Sequence, residues 1–210
     1  MKNNKEIKKT GNIRVQSQHK ILKAASTEFV LQGYKGATVQ SIADRASLPK
    51  ANILYYFKNK ENIYHAVLEH TLQMWDEGIG DINPEDGPKA AIEKFIDAKV
   101  RMSFKHPESS KIYAMEIIQS AQHLKDFART YQRKWVREKA QLFQQWIDNG
   151  EMRDVDPIHL IFLIWSATQH YADFETQILT IMNRADYEDE DVDHVIAFLT
   201  DMILRGCGLH

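Results

Sequence analysis

A short stretch near the N-terminus combines a cation, an amide and two phenols at helical spacing. It reads KANILYYF, from Lys50 to Phe57. Ile53 and Phe57 lie four apart and would share one buried face of a helix. The outward side chains are then of the types that read nucleic acid, because lysine contacts phosphate or guanine, asparagine pairs with adenine, and tyrosine hydroxyls hold phosphates. This chemistry suits a helix lying in the major groove of double-stranded DNA.

The preceding residues predict the support that such a helix needs. Thr38 is a good N-cap for a short amphipathic helix over Val39–Ala46, Ser47 and Leu48 form a turn, and Pro49 starts the second helix. This is the geometry of a helix-turn-helix. We expect base-edge contacts from Lys50, Ala51 and Asn52, phosphate contacts from Thr38, Tyr55, Tyr56 and Lys60, and further DNA contacts from Gln40 and Leu54.

The distribution of charge agrees with this interpretation. Residues 1–60 contain 12 Lys and Arg against 3 Asp and Glu, whereas residues 61–210 contain 15 against 26. A basic head on an acidic body is typical of a nucleic-acid-binding domain joined to a domain that does not bind nucleic acid. The basic tail over residues 1–14 cannot form a core, so we expect it to be disordered. It is either an arm that follows DNA or a solvated tail.

Helical periodicity runs through the rest of the chain and no strand pattern appears. The sequence predicts an all-α protein of about nine helices: a three-helix head over residues 15–60, a connecting helix over Asn59–Ile79, and a helical-bundle body over residues 76–210 for ligand binding and dimerisation. The predicted helices are Gln16–Leu31, Val39–Ala46, one from Pro49, Asn59–Ile79, Lys89–Lys105, Glu108–Gln119, one ending at Asp148, Pro157–Met182 and one from Asp186 to Gly206. Local signals mark some of their ends: Gly33 stops the first helix, and Asn59 and Asp156 are N-caps.

The predicted helix over Pro157–Met182 is apolar over most of its circumference, so it would be buried on several sides. Together with the last helix it would form a four-helix interface between two copies of the chain. A homodimer would also present two recognition helices to a palindromic DNA operator.

A polar pair interrupts this apolar helix. Trp165 and Gln169 lie four apart and would offer a flat wall with a neighbouring amide, which suits a small planar ring bearing N–H and C=O groups. The alternative is a core tryptophan beside a glutamine that bonds the backbone. Further walls of a ligand site would come from Trp75, Met115, Glu116 and Gln119, although Met and aromatic residues at this spacing are more often plain core.

Catalytic and metal chemistry find little support in the residues. His170 and Asp173 lie three apart without a third ligand at helical spacing, and neither a nucleophile elbow nor a glycine-rich phosphate loop occurs. We therefore expect that this protein binds no metal and no cofactor and is not an enzyme. A helical-bundle enzyme or small-molecule binding protein with a vestigial head is the alternative of another class. Cys207 is the single cysteine, and the longest apolar run has six residues against the ~20 needed to span a bilayer, so we expect a cytoplasmic protein without a membrane segment.

Several motifs resemble the DNA-binding domain of the TetR family of bacterial repressors. They are A-x-x-x-F-x-x-x-G-Y (Ala25, Phe29, Gly33, Tyr34), T-x-x-x-I-A (Thr38, Ile42, Ala43) and YYFKNKE (Tyr55–Glu61). In the body, DPIHLIFLIWSATQHYADFETQI (Asp156–Ile178) and YAMEII (Tyr113–Ile118) resemble the pyrimidine-utilisation regulators within that family. The resemblance implies a DNA-binding repressor whose effector is uracil or thymine. A repressor that responds to a hydrophobic drug or a fatty-acid-like ligand is the alternative.

Two positions depart from the family pattern. Ser47 stands where glycine is usual, and Pro49 stands where serine or threonine is usual. Ser47 would require a strained or altered turn, because glycine is the residue that tolerates a positive φ. Pro49 removes a hydroxyl that often caps the recognition helix.

Overall fold

The computed structural model describes residues 14–77 and 82–210 with their side chains. This part of the chain consists of helices and the turns between them, without a strand, so the predicted all-α class is confirmed. The side chains of the predicted basic tail lie, up to residue 13, outside the described residues. In chain order the helices are α1 (Asn3–Gly36), α2 (Val39–Ala46), α3 (Lys50–Phe57), α4 (Lys60–Ile79), α5 (Gly87–Lys105), α6 (Pro107–Ile118), α7 (Lys125–Phe127), α8 (Arg133–Asp148), α9 (Pro157–Asp173), α10 (Glu175–Met182) and α11 (Asp189–Gly206).

The chain divides into two compact units between Leu72 and Gln73. The first unit, the head, contains α1 to α3 and most of α4. The regular path of α1 is interrupted at Gly33, which has φ 67° and ψ 169°, as the sequence predicts for a helix-ending glycine. The apolar stripes of these helices meet in one core, whose fully buried members include Ile21, Phe29, Ile42, Ile53, Ile63 and Leu68.

The second unit, the body, is a helical bundle in which α5 packs against α9 and α11, and α8 packs against α9. Its core contains Ile92, Ile96, Phe143, Ile161 and Ile164, each fully buried. Asp156 caps α9 as predicted, since its side chain accepts a hydrogen bond from the His159 backbone N–H at 2.9 Å. None of the helices within the described ranges combines the length and apolar character needed to cross a membrane.

Several predicted boundaries were wrong. The helix predicted over Pro157–Met182 breaks at Phe174, because the residues on either side of the break are held by α6: Ser110 donates to Asp173, and Lys111 pairs with Glu175. The long helix predicted to end at Asp148 is also divided, with a π-helical turn over Ala128–Gln132 between α7 and α8.

The first turns of two further helices differ from the prediction. Pro49 is the N-cap of α3 rather than its first residue, and α11 begins at Asp189 rather than Asp186. Each of these helices thus begins one to three residues later than the sequence pattern indicates.

Candidate DNA-binding surface and effector site

The helix-turn-helix is fixed at its start by a capping box. The Ser41 N–H donates to Thr38 Oγ1 at 2.9 Å, and the Thr38 N–H donates to Ser41 Oγ at 3.1 Å. These bonds satisfy two backbone donors at the start of α2. Thr38 stays exposed, as does Gln40, whose amide donates to Asp44 at 2.8 Å.

The turn between α2 and α3 is left-handed at Ser47. This residue has φ 50° and ψ 47°, and the backbone N–H of Leu48 donates to the Ala43 carbonyl at 3.0 Å. The predicted need for a positive φ at Ser47 is therefore met by the serine itself, at the conformational cost that a Cβ carries in this region.

α3 presents the predicted reading residues to solvent. Ile53 is fully buried against the head core, while Lys50, Ala51, Asn52, Leu54 and Tyr55 are exposed. Tyr55 is 77% exposed and meets the half-buried Tyr56 edge to face, with ring centroids 5.2 Å apart. A helix that places an amide, an ammonium and two phenols outside its own core has the form expected of a recognition helix.

Lys60, which the sequence predicts to contact phosphate, is bound within the head in this structure. Its ammonium donates to the Tyr34, Lys35 and Ala37 carbonyls at 2.8, 3.4 and 3.0 Å, and it lies 4.7 Å from the centre of the Tyr34 ring. These acceptors occupy the three N–H groups of the ammonium. In this structure Lys60 ties the start of α4 to the end of α1 and to Ala37. Asn59 caps α4 by accepting from the Asn62 N–H at 2.8 Å.

In the body, the predicted ligand-site residues fall into two aromatic groups. Trp75 meets Tyr113 edge to face at 4.8 Å, and the Tyr113 hydroxyl accepts from the Gln132 amide at 2.8 Å. Trp165 instead packs against Trp135 and Phe162, with ring centroids 5.7 and 5.9 Å apart, at the edge of the body core. Gln169, one turn after Trp165, is half-buried.

Three other predicted residues sit on α6 and its end. Glu116 is buried and accepts from the His123 backbone N–H at 2.7 Å, so its carboxylate closes the loop that follows α6. That is the structural role expected of a lone buried carboxylate. Met115 is half-buried, and Gln119 is exposed at the helix end.

Lys99 and Asp173 also belong to this region, and the sequence did not predict that they do. Lys99 is 5% exposed, and its Nζ lies 5.1 Å from the centre of the Trp75 ring. Burial lowers the pKa of Lys99 to about 8, and the Asp173 carboxylate acts in the opposite direction. Burial also raises the pKa of Asp173, whereas the hydrogen bond from Ser110 lowers it. A lysine on the buried stripe Ile92, Ile96, Lys99 was a signal in the sequence.

Two family descriptions match the chain. Residues 21–67 match "Bacterial regulatory proteins, tetR family", and residues 68–210 match "YcdC-like protein, C-terminal region". The HTH-type transcriptional regulator RutR of Escherichia coli K12 is 33% identical over 186 residues, which cover 89% of this chain and 88% of that protein. The HTH-type transcriptional repressor NicS of Pseudomonas putida is 25% identical over 216 residues, covering 96% and 98%.

Solved structures show the same fold. A putative fatty acid metabolism regulator from Clostridium perfringens has a TM-score of 0.69 at 24% identity and covers 89% of this chain and 97% of its own. The regulator AibR, solved in complex with isovaleryl coenzyme A and operator DNA, has a TM-score of 0.66 at 16% identity, covering 89% and 97%. The relatives are transcriptional regulators, so the enzyme alternative falls away. The chain belongs to the TetR family and is a helix-turn-helix transcriptional regulator.

Proposed function

We propose that this regulator is a repressor that binds a palindromic operator as a homodimer and releases it when a small planar pyrimidine, uracil or thymine, occupies the body. The observation that carries the proposal is the combination of an exposed reading surface on α3 with a body sequence that resembles the pyrimidine-utilisation regulators. Lys50, Ala51 and Asn52 would contact base edges, and Thr38, Gln40, Leu54, Tyr55 and Tyr56 would contact the DNA around them.

An apolar face on the body supports the homodimer. Ile158 and Phe162 lie one turn apart on α9, and Phe198 and Met202 lie one turn apart on α11. These four side chains, the α9–α11 face, are 42–59% exposed. Four large apolar groups at such spacing on two helices suit the packing of a second copy.

Release would follow from linkage. The effector binds the body, and α4 belongs to both units because it runs from Lys60 to Ile79. DNA accepts two recognition helices only when they are about one helical turn of DNA, ~34 Å, apart. An effector that binds more tightly to a dimer with another spacing lowers the affinity for DNA. The factor equals that by which bound DNA lowers the affinity for the effector.

The experiment is an anisotropy titration of the protein with its own upstream promoter DNA, with and without uracil or thymine. Binding that either pyrimidine reverses supports the whole proposal. Binding that pyrimidines leave unchanged but a fatty-acyl or drug-like compound reverses would replace the effector and keep the operator. Absence of DNA binding at low salt would overturn the proposed operator.

The Asn52→Ala variant tests the reading helix within that assay. We expect loss of discrimination at one base pair of each half-site, by about 1–3 kcal/mol, because a bidentate amide contact to adenine would be removed. Gln141→Ala, which removes an exposed amide on α8, is the matched control and should leave the binding-site preference unchanged. An unaltered preference in Asn52→Ala, measured over a randomised operator library, would remove Asn52 from the interface.

A further inference from the structure

Lys99 is the most unusual charged residue of the body. It lies on α5 with 5% of its surface exposed, between the buried positions Ile96 and Ser103. The structure shows no hydrogen bond or ion pair for its ammonium within the described residues. Its close electrostatic neighbour is the Trp75 ring, 5.1 Å from Nζ. A buried ammonium with only an aromatic face beside it is costly, because burial removes the water that stabilises its charge and the aromatic ring replaces only part of that stabilisation.

The surroundings of Lys99 are built from flat and polar groups. The Trp75 ring is met by the edge of Tyr113, and the Tyr113 hydroxyl is held by the Gln132 amide. The carboxylate of Asp173 is engaged by Ser110 Oγ at 2.6 Å. The Asp173 carboxylate raises the pKa of Lys99 through its electrostatic field, but the two side chains form no ion pair in the structure. The Lys99 ammonium is thus a buried charged donor of this cluster for which the structure shows no acceptor among the described residues.

We infer that the Lys99 ammonium is the effector-recognition group of the body and donates to an oxygen acceptor on a flat ring that packs beside Trp75. The ligand class is a planar compound that carries a carbonyl or carboxylate oxygen. This inference rests on the proposed function in that the body holds an effector, but it does not depend on that effector being a pyrimidine. A cationic compound, or a hydrocarbon without an oxygen acceptor, would leave the buried charge without a partner.

The probes are uracil, thymine, orotate and benzoate, with toluene as the flat ring that lacks an oxygen acceptor. Binding to the whole 210-residue chain is measured by calorimetry and by quenching of tryptophan fluorescence. Lys99→Met keeps the length of the side chain and removes the charge. Lys105→Met, an exposed position on the same helix, is the matched control. A DNA titration of each variant without ligand shows that the protein is folded and competent.

We expect at least one oxygen-bearing probe to bind the wild type and Lys105→Met alike, and to lose about tenfold or more in affinity in Lys99→Met. If that probe is orotate or benzoate and not uracil or thymine, the inference stands and the pyrimidine proposal fails. A pyrimidine that binds Lys99→Met as tightly as the wild type would overturn the inference while leaving the proposed function intact. Binding of toluene alone, or of none of the probes, would overturn the ligand class and with it the inference. Should Lys99→Met fail to bind DNA, Lys99→Gln takes its place, and the same outcomes apply.

Discussion

Ser47 holds the turn between α2 and α3 in a conformation that its side chain disfavours. Its φ of 50° and ψ of 47° lie in the left-handed region, where a Cβ approaches the following carbonyl. Two backbone hydrogen bonds close the turn around it, from Ser47 to Asp44 and from Leu48 to Ala43, each 3.0 Å long. The packing of the head therefore imposes a conformation that glycine would adopt without cost.

The Ser47→Gly variant should accordingly stabilise the head by about 0.5–1 kcal/mol, since glycine removes the left-handed penalty and loses some of that gain to its freer unfolded chain. The measurement is native-state hydrogen exchange at the amides of α2 and α3. Ser47→Ala retains the Cβ and should show no gain. Equal protection in the glycine variant and the wild type would mean that the turn carries little strain.

Lys99 gives a second residue-scale prediction, which concerns pH. The folded pKa of about 8 lies below the ordinary value of 10.5, so between these two pH values the unfolded chain binds more protons than the folded chain. The penalty of burying the charge is fully present below pH 8 and disappears as the pH rises to about 10.5. It corresponds to roughly 3 kcal/mol.

The check is the difference in unfolding free energy between Lys99→Met and the wild type, measured in urea from pH 7 to pH 10.5. We expect the variant to be the more stable protein at pH 7 and its advantage to shrink steadily across this range. The same difference for Lys105→Met should be independent of pH, because that side chain is exposed. A flat difference for Lys99→Met would show that its pKa is close to 10.5 in the folded protein.

At the scale of helices, the sequence predicted the elements whose ends are set by their own residues. Gly33 interrupts α1, Thr38 caps α2, Asn59 caps α4 and Asp156 caps α9, and each of these signals is local. The break at Phe174 is different, because its causes are the bonds from Ser110 and Lys111, more than sixty residues earlier in the chain. Such partners become visible only when the helices are packed.

The same distinction, between local signals and partners that are distant in the chain, applies to the candidate sites. The outward residues of α3 were predictable, because a short helix that turns Ile53 and Phe57 toward the core leaves its opposite face exposed. The structure buries Ile53 fully, whereas Tyr56 and Phe57 are half-buried. The place of Lys60 in the first turn of α4 predicts a phosphate contact, but it does not reveal that the ammonium also binds three carbonyls more than twenty residues earlier. Lys99 was overlooked for a related reason. Its partner Trp75 lies on another helix, and periodicity alone does not separate a buried lysine from one whose ammonium reaches solvent.

The role of Lys60 between two elements gives a prediction at this scale. In Lys60→Met, the Tyr34, Lys35 and Ala37 carbonyls lose their donor, and hydrogen bonds to a charged group are each worth about 1.5–3 kcal/mol before exposure reduces them. We expect faster exchange of the α2 amides and weaker binding to every operator sequence, with an unchanged salt dependence.

The comparison protein for this test is Lys23→Met, which removes an exposed lysine from α1. It should leave the exchange of the α2 amides unchanged. If Lys60→Met instead kept normal exchange and lowered the slope of log K against log salt by about 0.9, Lys60 would be a phosphate contact in the complex.

For the whole molecule, the division of charge separates the two tasks of the chain. Residues 1–60 carry an excess of nine positive charges and residues 61–210 an excess of eleven negative charges. An acidic body is repelled by DNA, so the basic head directs the encounter with the operator. One eight-residue recognition helix offers few base contacts, so we expect useful specificity to require two copies acting together.

The dimer is tested by placing a charge on the α9–α11 face. Phe198 is 59% exposed on α11, and in a dimer its replacement by glutamate would bury an unpaired carboxylate. We expect light scattering to give twice the chain mass of 24.4 kDa for the wild type at micromolar concentration and a single chain mass for Phe198→Glu. Operator affinity should fall at least about a hundredfold, because the second head no longer binds at a high effective concentration.

Ile118→Glu, at a residue that is 78% exposed on α6, should remain dimeric. A monomeric wild type, or a Phe198→Glu variant that stays dimeric, would move the interface to another surface, and an operator affinity that survives in the monomer would mean that one head is sufficient.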